Sequence, residues 1–223
     1  MNRTREDDAI AAYFNLLRSK GGNEASILQR EAFFDQLVPL LVGKVNTGPY
    51  YREAIETLME NKPAIDWPPY LVIAREFYPF WIGDFKAIGL LSSEIGFDLH
   101  PVDWMPGNIS LSDLWKNIDQ EKFSTAESWA IKSYAKALDI AGAPADVAEV
   151  RVKLAKILII RLRDAPVTEK NAFRIAVDAT TPLFELKKTR QLFLVVVREF
   201  YHFWSGNPDA QEHVMKVNKV SIL

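Results

Sequence analysis

Apolar residues recur every three or four positions along most of the chain, the spacing that lines one face of an α-helix. In "EDDAIAAYFNLLRSKGG" acids occupy the first turn, basic residues the last, and Gly21 follows as a stop, so both ends read as helix ends. "NEASILQREAFFDQLVPLLVG" restarts with Asn23 as a cap and sets Ile27, Phe34, Leu37 and Leu41 near one face. A third helix opens at Thr47 and Pro49 and closes before Pro63, and a fourth follows "DWPP", whose prolines predict an extended approach and then a first turn.

Gly89, Gly96, Pro101, Pro106 and Gly107 then break the pattern, and residues 87–117 read as an ordered connector. Beyond it the plan repeats. Ser124 and Glu127 have the spacing of a capping box, and Gly142 ends the helix they open. Val147, Val150, Leu154, Ile157, Leu158 and Leu162 keep helical spacing after Pro144. "TEKNAFRIAVDATTP" predicts a shorter helix, Pro182 a long one, and "PDAQEHVMKVNKV" a final helix or frayed tail.

Two segments are nearly the same. Aligned without gaps, Tyr70–Asp84 and Phe193–Asn207 share nine of fifteen residues, including Arg-Glu-Phe-Tyr and the Phe-Trp that follows one position later. The offset is 123 residues here and 121 between Tyr13 and Tyr134, about half the chain. The expected architecture is therefore all-α: two tandem, duplicated four-helix units packed as one compact body with pseudo-twofold symmetry, a first repeat over 1–86 and a second over 118–223.

The repeated helix is apolar around nearly all of its circumference. Placed at 100° per residue from Leu192, Arg198 and His202 fall at roughly 240° and 280°, while Glu199 lies at roughly 340° among Leu192, Val195, Val196 and Phe203. A carboxylate in that stripe must have a partner or lose its charge. Adjacent Arg198 points elsewhere on the helix. Two arrangements satisfy the acids. The motif helices could pack together, with Arg75 on Glu199 and Arg198 on Glu76, or each acid could be met within its own unit. Pro79, where the second copy has His202, withholds an N–H from the Arg75 carbonyl and predicts a kink.

Composition narrows the function classes. The chain has 223 residues, 48% of them apolar, and a formal charge of −2, without the basic excess of a nucleic-acid binder. Residues 1–115 carry 10 basic and 16 acidic side chains and the remainder 17 and 13, so the halves have opposite sign and self-association could use it. Cysteine is absent, which removes disulfides, thiolate metal sites and cysteine nucleophiles. The longest strongly apolar run, "LFLVVV", is too short to span a bilayer. The N-terminus lacks the apolar core of a secretory signal, and the chain reads as soluble and cytoplasmic.

Catalytic chemistry has little to draw on. His100, His202 and His213 form no paired zinc spacing, and Asp98, His100 and Asp103 in "DLHPVD" make only a weak cation loop. No phosphate-cradling glycine loop, dinucleotide fingerprint or nucleophile elbow is present. Arg151, Lys153, Lys156, Arg161 and Arg163 scatter around their helix rather than forming a phosphate stripe. The candidate ligand site is the motif itself: Arg75, Glu76, Tyr78 and Trp81 with Arg198, Glu199, Tyr201, His202 and Trp204. These residues combine planar donors with stacking faces. The same residues describe a structural network. The reading that follows is a non-enzymatic interaction or scaffolding protein that binds a protein partner or itself. It needs no cofactor or metal and contacts neither membrane nor nucleic acid. The alternative is a binder of, or enzyme on, a small planar or anionic molecule in an aromatic and arginine pocket between the repeats.

Overall fold

Thr4 opens the first helix by accepting from the Asp7 amide, while the Asp7 carboxylate accepts from the Thr4 amide. The computed structural model describes residues 4–93, 104–107, 109–165 and 172–215, and among these there is no strand. The chain divides into two units, Met1–Pro101 and Val102–Leu223.

The first unit holds α1 (Arg5–Ser19), α2 (Glu24–Leu41), α3 (Gly48–Glu60), α4 (Trp67–Ile82) and α5 (Phe85–Ser92). Asn23 caps α2 through the Ser26 amide, as its place in the sequence predicts. The approach to α4 is different from the extended one that "DWPP" suggests. A 3-10 turn, Ala64–Asp66, leads straight into Trp67, and Pro68 and Pro69 sit inside the first helical turn. The first N–H groups of a helix have no intrahelical acceptor, so both prolines fit there without losing a bond. Helix α4 continues through Pro79 to Ile82, and the Tyr51 hydroxyl donates to the Ala74 carbonyl at 2.7 Å, next to the carbonyl that Pro79 cannot serve.

The core of this unit is aromatic. Tyr13, Phe14, Phe34, Phe77 and Phe80 meet edge to face, the closest being Phe34 on Phe77 with centroids 4.6 Å apart. Each such pair contributes about 0.5–1.5 kcal/mol beyond the area it buries.

The second unit holds α6 (Leu111–Asn117), α7 (Thr125–Ile140), α8 (Ala145–Arg161), α9 (Ala172–Thr180) and α10 (Lys187–Trp204). Ser124 and Glu127 form the expected capping box on α7. Its core is more aliphatic: Leu154, Ile157 and Leu158 of α8 pack with Val196, Phe200 and Phe203 of α10 around Tyr134 of α7. Pro182 starts a 3-10 turn, Thr181–Leu183, rather than the long helix, which begins five residues later at Lys187. The stretch beyond α10 contains a 3-10 turn, Ala210–His213, in place of a further α-helix within the described residues.

Residues 87–117 are partly helical: α5 packs on α4 in the first unit, and α6 on α8 in the second. The loop candidates Asp98, His100 and Asp103 lie outside the described residues. No helix among the described residues is long and apolar enough to cross a membrane.

Candidate functional site

Glu76 projects from α4 into the aromatic core of the first unit, where two other helices meet it. Tyr13 of α1 donates its hydroxyl to Glu76 Oε2 at 2.6 Å. Arg30 of α2 reaches Oε2 through Nε at 3.3 Å and through a terminal nitrogen at 3.0 Å, and reaches Oε1 at 3.3 Å. Arg30 Nε also donates to the Tyr13 oxygen at 2.7 Å, and its other terminal nitrogen bonds the Ser26 hydroxyl at 2.6 Å. All three members are buried, with Arg30 only 3% exposed. Burial pushes the Tyr13 phenol well above its ordinary range, and the Glu76 charge adds to the shift. Burial also works against the Arg30 charge, but Tyr13 and Glu76 outweigh it and hold the guanidinium above its ordinary value.

The second unit contains the same trio. Tyr134 of α7 donates to Glu199 Oε2 at 2.7 Å, and Arg151 of α8 closes an ion pair on the same oxygen. Arg151 and Glu199 are 3% and 1% exposed. Burial, and then the Glu199 carboxylate, raise the Tyr134 phenol far above its usual range. The two trios differ in their last contacts. Arg151 Nε has no hydrogen-bond partner, whereas Glu199 Oε1 accepts from the Met215 backbone amide at 2.9 Å.

Both glutamates thus take their guanidinium from within their own unit, the plainer of the two arrangements open to the sequence. It comes from Arg30 and Arg151 rather than from the motif's own Arg75 and Arg198, which are exposed. Three charge-bearing or phenolic groups that bond one another, withdrawn from water, make a lock between helices.

The motif aromatics occupy different settings. Trp81 is buried, packed on Tyr51 with the Arg5 guanidinium 5.5 Å from its ring, and its Nε1 has no hydrogen-bond partner. Tyr78 is half-buried against Tyr51, and a side chain at Gly48 would come within 2.9 Å of its hydroxyl. Tyr201 and Trp204 are 45% and 44% exposed and lean on Phe173 of α9, so α10 is not the fully interior column its composition predicts. His202 is stacked on His213.

The basic residues of α8 and its C-terminal end are also engaged within the chain. Arg161 donates to the Gly107 carbonyl, to the Ala179 carbonyl and to Thr180, and burial lowers its pKa. Arg163 pairs with Glu121 and Glu127, while Lys153 and Lys156 reach Asp119. Among the described residues no group of His, Cys, Asp and Glu side chains could hold a metal ion.

One open groove of about 570 Å³ lies in the second unit, between α6 and the turn that leads into α10. Leu111, Trp115, Leu183, Phe184 and Leu186 give it an apolar surface, with Ser112, Lys116, Glu185 and Thr189 among them. Comparison with protein-family models, with curated proteins and with solved structures finds no match.

Proposed function

We propose that the chain is a non-enzymatic interaction module whose second unit receives an acidic, amphipathic segment of a protein partner in the α6–α10 groove. The observation that carries this reading is the contrast between the two kinds of site. The motif's carboxylates are consumed in buried locks, whereas the groove offers apolar side chains to solvent, with Leu186 70% exposed. Charge selects the partner. Lys116 lines the groove, and no side chain caps α10, which begins at its border. The positive end of the α10 dipole adds to that cation and favours acidic residues beside the apolar ones.

A displayed library of helical peptides tests the reading. Acidic amphipathic peptides should be enriched over basic ones, and Leu186→Glu should weaken their binding by about 10- to 100-fold, the equivalent of burying one leucine. Equal capture of both peptide classes, or undiminished binding to Leu186→Glu, would contradict it.

A second reading, uptake of a small planar or anionic molecule by motif residues, has the exposed Tyr201 and Trp204, clustered on half-buried Phe173, in its favour. A molecule retained in native mass spectrometry and lost in Trp204→Ala would support it.

We infer further that the two units are tandem copies related by duplication. In support, Tyr13 and Arg30 precede Glu76 by 63 and 46 residues, while Tyr134 and Arg151 precede Glu199 by 65 and 48. The helices that carry them come in the same order. A cytoplasmic location accords with the cysteine-free composition.

A further inference from the structure

After α10 the chain turns back on itself at Gly206 and returns along the helix end. Three contacts hold it there. The rings of His202 and His213 lie parallel, 2° apart in plane and 3.5 Å apart at their centroids. Asn207 Nδ2 meets His202 Nδ1 at 3.0 Å. Met215 donates its amide to Glu199 Oε1 at 2.9 Å, and Ala210 and Val214 of the returning segment are buried against the core of the unit.

These contacts require a neutral His202. The Asn207 amide is fixed in orientation, because its Oδ1 accepts from the Asp209 backbone N–H at 3.0 Å. Nδ2 therefore faces His202 as a donor, and His202 Nδ1 must supply a lone pair. An imidazolium has none there. Protonation would turn an acceptor into a second donor and place a cation flat against the His213 ring.

We propose that residues 207–215 form a pH-gated latch, closed while His202 is neutral and released when it takes up a proton. Release uncovers Ala210, Val214 and the Glu199 oxygen that Met215 occupies, so the latch couples the tail to the buried lock of the second unit. The charged groups on the elements that meet here are Arg198 and Glu199 on α10, Asp209 and Glu212 on the returning segment, and Arg151 of α8 with Tyr134 of α7 against Glu199. Of the residue types present, only histidine ordinarily changes charge between about pH 5 and 8.

The surroundings favour the neutral ring in sum: burial, and then the nearness of His213, lower the His202 pKa below its ordinary 6.5. The closed latch thus binds fewer protons than the released one. Closure is fully present above the ordinary histidine pKa and weakens as pH falls through and below it, tenfold for each unit by which the closed-state value is depressed.

Hydrogen exchange at the Val214 and Met215 amides of the full chain, corrected for intrinsic rates, tests the latch. Protection should fall between about pH 7.5 and about pH 5.5, by at most about tenfold, while the Phe200 amide in α10 stays protected. In the His202→Asn/His213→Phe variant, which keeps an acceptor and an aromatic face without a titrating ring, the pH dependence should vanish. Unchanged protection of the wild type at the lower pH, or the same pH dependence in the variant, would overturn the proposal. Should the variant lose the latch at both pH values, the ring titration of His202 decides. Its pKa must rise in His213→Phe, and a fixed or lowered value would contradict the stacked pair as the gate.

Discussion

Arg30 holds Glu76 with two of its nitrogens across 46 residues of chain, and both side chains are withdrawn from solvent. A pair taken out of water costs more to break than it contributes when whole, because either partner left alone is an uncompensated buried charge.

Glu76→Gln should lower unfolding stability by about 2–4 kcal/mol, since the amide leaves the guanidinium without its counter-charge. Arg75→Gln, one residue away on the exposed side of α4, should change it by no more than about 1 kcal/mol, the ceiling for an interaction at the surface. Denaturant unfolding of the two variants side by side measures the difference.

The hydroxyl of Tyr134 donates to a carboxylate, a stronger bond than one between neutral groups. Tyr134→Phe should cost about 1.5–3 kcal/mol, and Tyr13→Phe a similar amount. Equilibrium unfolding again gives the reading.

Alkaline pH should destabilise the fold through its buried phenols. Burial raises Tyr13, Tyr51 and Tyr134 above the ordinary tyrosine value of 10.0, with the neighbouring carboxylates adding to the shift of the first and third. The folded state then keeps protons that the unfolded chain releases. The stabilisation is whole below about pH 10 and declines as pH rises beyond it. In an ultraviolet titration, these three of the chain's seven tyrosines should remain un-ionised until the protein unfolds.

Gly83 and Gly206 end the two motif helices at φ 75° and 71°, the left-handed region that side chains resist. Asp84 and Asn207 then donate to the carbonyls of Pro79 and His202, five residues back, each at 2.9 Å. Gly83→Ala and Gly206→Ala should each cost about 1–2 kcal/mol, read as a lowered unfolding midpoint.

The helices themselves were legible because their signals are local. Asn23, the Ser124 and Glu127 pair, and Gly142 act within a turn of where they stand. Pro182 misled for the same local reason: a proline marks a helical turn but does not say whether that turn opens an α-helix or a 3-10 helix, whereas Pro68 does open α4 as expected and only the approach before it differs. The need for a partner at Glu199 could be read from the apolar stripe around it, but not the partner's name, which lies 48 residues away. One signal was there. Arg30 sits in the series Ile27, Phe34, Leu37 and Leu41 at core spacing, and Arg151 likewise between Val147 and Leu154. The groove left no such trace, because it arises where α6 and the turn before α10 come together, segments without a shared periodic pattern.

The central claim is that the motif's acid is a structural lock with an arginine of its own unit, and a double-mutant cycle on Arg151 and Glu199 tests it most directly. Arg151→Met and Glu199→Gln should each cost about 2–5 kcal/mol, and the double variant should cost less than their sum by about 2 kcal/mol or more. Costs that add to within about 0.5 kcal/mol would mean the two side chains stand independently, and the lock would not exist.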